Sequence, residues 1–105
     1  MKKIEAIILP ANVEAVRGGL KATGILARLV VMPVYGLQRS SVSSGRDLEP
    51  NRDLIRALKV EVIVSDRLVS KAVNAIFDYS CFAKQGIGVG QITVLNVETT
   101  LAIGL

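Results

Sequence analysis

Two stretches with the apolar spacing of a helix, each bracketed by short β-branched runs, leave this chain few ways to fold. The clearest strand is Leu58-Lys59-Val60-Glu61-Val62-Ile63-Val64, where 58, 60, 62 and 64 point one way and Lys59 and Glu61 the other. Such alternation marks a half-buried strand, and the segment can begin as early as Leu54. Ser65 or Asp66 then caps a helix whose apolar positions Leu68, Val69, Ala72, Val73, Ile76 and Phe77 form one stripe. Arg67, Ser70, Lys71, Asn74 and Asp78 lie opposite.

Upstream, Lys3 to Leu9 is an apolar run closed by Pro10, which cannot donate to a ladder and marks a strand end. Val13, Val16 and Leu20 recur at i, i+3 and i+7 against Glu14, Arg17 and Lys21, with Asn12 as the expected N-cap and Gly24 as the C-cap. Gly18 and Gly19 each weaken such a helix by about 1 kcal/mol relative to Ala, a cost that close approach of a neighbouring strand would explain. Leu29 to Tyr35 is a β-branched apolar run in which Pro33 requires an edge strand or a bulge. After alternating Gly86, Gly88 and Gly90, Gln91 to Val97 supplies the last strand.

Strand, helix, strand, strand, helix, strand is the order of a ferredoxin-like βαββαβ domain. The expected class is α+β, an antiparallel four-stranded sheet with two helices on one face. At 105 residues the chain makes one domain, 1–105. Half of it is hydrophobic but only 4% aromatic, with no Trp, so its mean hydropathy of +0.47 comes from Val, Ile, Leu and Ala. These exceed what one covered sheet face needs. The second face is expected to bury itself against other copies, giving a homo-oligomer.

Several functions are disfavoured. Arg28 interrupts the richest apolar stretch, Gly24 to Leu37, so no membrane span is expected. The apolar run after Met1-Lys2-Lys3 is too short for a signal peptide, and a cytoplasmic location is expected. With one cysteine and no His, an internal disulfide and a Cys/His zinc site are both excluded within one chain, and Cys81 reads as core packing rather than a nucleophile. The net charge of +4 and pI near 9.6 come from basic residues scattered between Lys2 and Lys84 without aromatic interleaving, so no nucleic-acid partner is expected. Glu5, Glu14, Glu61, Glu98, Asp66 and Asp78 show no paired spacing that would shift a pKa, and no enzyme activity is expected.

Three segments resemble the PII signal-transduction family. They are Met1-Lys2-Lys3-Ile4-Glu5-Ala6-Ile7-Ile8-Leu9-Pro10, then Lys59-Val60-Glu61-Val62-Ile63-Val64-Ser65-Asp66-Arg67-Leu68-Val69, then Ile87-Gly88-Val89-Gly90-Gln91-Ile92-Thr93-Val94-Leu95-Asn96-Val97-Glu98. The resemblance implies a homotrimer with ligand clefts between subunits, no catalysis, and a regulatory role in nitrogen or carbon metabolism. ATP, ADP or AMP is the implied ligand class, 2-oxoglutarate with magnesium often a second input, and bicarbonate an alternative. It also makes the polar stretch 37–53 the loop that binds a protein target, such as a membrane transporter or a metabolic enzyme. A polar connection this long in so small a domain is uncommon unless functional or disordered.

Implied ligand-binding positions are Gly36, Gln38, Gly86, Ile87, Gly88 and Gly90, and implied partner contacts are Arg39, Ser43, Arg46 and Arg52. Each keeps a plainer reading. The glycines can cradle an anion with backbone N–H groups or simply make a tight entry to the last strand. Gln38 can read a ligand or be solvated at a strand end. The arginines can meet an acidic partner or keep the loop soluble, and Ser40, Ser41, Ser43 and Ser44 can be modified or merely flexible. The family's four phosphate-binding cations fall on Ala57, Gln91, Ala102 and Gly104, so nucleotide affinity would drop by orders of magnitude unless Arg56, Lys59 or Lys84 substitutes. A trimeric adaptor without a ligand is the alternative.

Overall fold

Every second side chain of the first strand, β1 (Lys2–Ile8), goes into the core: Ile4, Ala6 and Ile8 are buried while Lys3, Glu5 and Ile7 face the other way. The structure is a computed structural model and describes residues 1–25, 28–37, 54–80 and 90–104. After β1 come α1 (Val13–Ala22), β2 (Val30–Leu37), β3 (Leu54–Val64), α2 (Val69–Ser80) and β4 (Gln91–Asn96), with single 3-10 turns at Pro10–Asn12 and Asp66–Leu68. No helix among the described residues is long and apolar enough to cross a membrane.

The sheet order is β2-β3-β1-β4 and every pairing is antiparallel. Register places Ile4 between Val62 and Val94, and Ala6 between Val60 and Ile92. Pro33 lies on edge strand β2 opposite Leu58, where a missing N–H costs no inner ladder bond. Val16 and Leu20 of α1 and Ala72, Ala75 and Ile76 of α2 join Ile4, Ala6, Ile8, Val60, Val62 and Val64 in one core. Both helices therefore cover the same face, and this is the ferredoxin-like α+β fold expected from the element order.

The end of α1 is built as expected. Gly24 adopts φ +84°, its N–H donates to the Lys21 carbonyl at 3.0 Å, and the Ile25 N–H donates to the Leu20 carbonyl at 3.1 Å. These paired bonds satisfy two orphan carbonyls, and Ile25 continues into the core.

Four local expectations are corrected. Asn12 stands at the N-cap of α1 but makes no capping bond; its side-chain Nδ2 donates instead to the Ser80 carbonyl at the end of α2. Cap and tertiary amide look alike in sequence. The close approach at Gly19 comes from a helix, not a strand: a Cβ there would clash with the Tyr79 ring of α2, whereas one at Gly18 would meet nothing. Phe77 is 68% exposed rather than core. It sits roughly 100° round the helix from buried Ile76, and Ala75 and Ser80 complete the buried stripe in its place. Neither Ser65 nor Asp66 caps with its side chain; the Ser65 carbonyl accepts the Leu68 N–H at 2.9 Å, and the Asp66 carboxylate pairs with the Met1 amine.

Candidate functional site

The face without helices carries the chemistry. Register sets two rows that span all four strands on this face: Val30, Glu61, Glu5, Thr93 and Met32, Lys59, Ile7, Gln91. Glu5 and Glu61 are direct cross-strand partners, a pairing of like charges that is unfavourable alone. The absence of paired carboxylates expected from sequence spacing is thus corrected, because antiparallel pairing of β1 with β3 joins positions far apart along the chain. Lysines neutralise the pair: Lys3 Nζ lies 2.9 Å from Glu5 and 3.9 Å from Glu61, and Lys59 Nζ lies 3.4 Å from Glu5. The Lys3 hydrogen bond, assisted by Lys59, holds the Glu5 carboxyl below its ordinary value, and Glu5 in turn raises Lys3. A poised general acid needs a raised carboxyl, so Glu5 has the opposite character.

Two open clefts adjoin at the Lys2 end of the sheet. One, about 510 Å³, runs between Lys3, Ile63 and the segment Leu95 to Thr100. The other, about 640 Å³, lies among Met1, Ile63, Val64, Ser65, Asp66, Arg67 and Thr100. Both share Ile63 and Thr100, and their volumes suit a small molecule. Lys3 and Arg67 supply positive charge, Asp66 and Glu98 negative. Ile63 and Thr100 carry no sequence signal of their own; the signal available nearby is the tail, where the resemblance puts two of the family's cations at Ala102 and Gly104.

Of the ligand positions expected from sequence, Gly36 lies in β2 opposite Ile55 and Gly90 immediately precedes β4. Both belong to the Ile8 end of the sheet, on opposite edges, away from the clefts. Gln38, Gly86, Ile87 and Gly88 lie outside the described residues, as do Arg39, Ser43, Arg46, Arg52, Cys81 and Lys84. Where phosphate-binding cations were expected, Ala57 is buried opposite Val34, and Ala102 and Gly104 are exposed. Arg56 is on the helix-side face of β3, the reverse of Ala57, while Lys59 shares the face of Ala57 but is engaged by Glu5.

The family description that matches this chain is nitrogen regulatory protein P-II, over residues 1–104. Nitrogen regulatory protein P-II of Pasteurella multocida and that of Haemophilus influenzae are each 35% identical over 104 residues, covering 98% of this chain and 91% of theirs. The protein of the same name from Pyropia yezoensis is 35% identical over 105 residues with equal coverage. A match of this extent, on a chain whose βαββαβ order and sheet register keep all four strands in place, makes it a member of the nitrogen regulatory protein P-II family.

Proposed function

We propose that this chain is a cytoplasmic, non-enzymatic regulator that assembles as a homotrimer through its open sheet face, senses a small metabolite between subunits, and acts on a protein target through 37–53. The observation that supports this reading is the separation of two sets of candidate positions. Gly36 and Gly90 lie at one end of the sheet and the Ile63/Thr100 clefts at the other, so a single ligand meets both sets only when one protomer's first end abuts a neighbour's second. Val30, Met32 and Leu95, exposed on the open face, supply apolar area for that contact. The ligand class is an adenine nucleotide or bicarbonate.

A second reading, a trimeric adaptor without a ligand, is favoured by one observation: Ala57, Ala102 and Gly104 offer no charge to a phosphate. Thermal-shift titration with ATP, ADP, AMP and bicarbonate separates the two. A sensor is stabilised by about 2.7 kcal/mol when ligand reaches a hundred times its Kd. With the cations missing, AMP or bicarbonate is expected to give a larger shift than ATP at equal concentration. If none of the four moves the transition, the sensing reading fails and the adaptor stands.

A further inference from the structure

The open face combines two features that rarely share a surface: exposed apolar side chains at its edges and a charge quartet at its centre. Lys3, Glu5, Lys59 and Glu61 retain only 16–33% side-chain exposure within one chain, and three contacts of 2.9–3.9 Å link them. Their charges sum to zero. The open-face neighbours on β2, Val30 and Met32, and on β4, Gln91, Thr93 and Leu95, do not titrate; outside the strands, Glu98 shares a cleft with Lys3.

We propose that the quartet is an acid-sensitive lock on self-association. With both glutamates ionised the four charges cancel inside each chain and the face can be covered whole; protonating Glu5 and Glu61 leaves Lys3 and Lys59 uncompensated between copies and drives them apart. The lock rests on the trimer reading above. Its physical basis is that a balanced buried ion network is tolerated, whereas a half-removed one leaves an unpaired charge away from water. The direction follows from Glu5, which Lys3 holds below its ordinary value. The contribution of that pair is complete above the ordinary carboxylate value of about 4.3 and is lost as pH falls through the lowered one.

The test uses the full chain in sedimentation velocity, with circular dichroism to confirm folding. At about pH 7 the wild type sediments as a trimer, and below about pH 4 it dissociates into folded single chains. Glu5→Gln with Glu61→Gln imitates the acid state and is expected to dissociate already at neutral pH. Adding Lys3→Met and Lys59→Met restores balance, returns the trimer and removes its acid sensitivity, which separates the lock from general acid unfolding. A double-glutamine variant that stays trimeric at neutral pH overturns the lock alone. A wild type that is a single chain at neutral pH overturns the assembly reading and the lock together.

Discussion

Ile4→Ala is expected to destabilise the chain by about 2–5 kcal/mol, out of a total of roughly 5–15 kcal/mol for a domain of this kind. Ile4 is fully buried on central strand β1, with Val62 on one side and Val94 on the other, in the core that Val16 and Ile76 close from the helix layer. Removing its outer carbons opens a cavity between two layers that are each held by other contacts, so little collapse can refill it. At fixed protein concentration the thermal midpoint should fall by more than about 10 °C. A loss below about 1 kcal/mol in urea unfolding would mean that the helices do not close over this strand as described.

Asn12→Asp carries the second large effect, and its sign distinguishes two roles for the residue. As a simple N-cap, Asn12 would tolerate Asp, which is an equally good cap. In the structure its amide N–H instead donates to the Ser80 carbonyl, tying the start of α1 to the end of α2 in a buried setting. The last carbonyls of a helix have no partner within it, so Asn12 satisfies one that water cannot easily reach. A carboxylate has no N–H to offer and places negative charge against that carbonyl. Asn12→Ala should cost about 1–3 kcal/mol, the penalty for a buried acceptor left unsatisfied, and Asn12→Asp at least as much. Equal stability of Asn12→Asp and wild type in urea melts would return the residue to the capping role.

The fold was readable where a local pattern has one cause. Alternation from Leu58 to Val64 fixed which side of β3 is buried, Pro33 limited β2 to an edge or a bulge, of which the sheet order shows the edge, and Gly24 fixed the end of α1. Where one pattern has two causes, reading was incomplete. Asn before a helix caps it or reaches elsewhere, Gly in a helix admits a strand or a ring, and Phe77 is near enough to the stripe to be counted in it. The quartet was invisible because cross-strand register, not spacing, brings Glu5 to Glu61. The clefts were missed for the same reason: they arise where the ends of β3 and β4 meet the tail, at Ile63 and Thr100, which carry no distinctive chemistry of their own.

The proposed function depends on the open face meeting other copies, since only then would Gly36 and Gly90 of one protomer approach the clefts of a neighbour. Sedimentation equilibrium of the wild-type chain at about pH 7, over micromolar concentrations, measures this directly. The account predicts a single species with three times the chain mass of 11.2 kDa. A species that stays at 11.2 kDa across the whole range would contradict it.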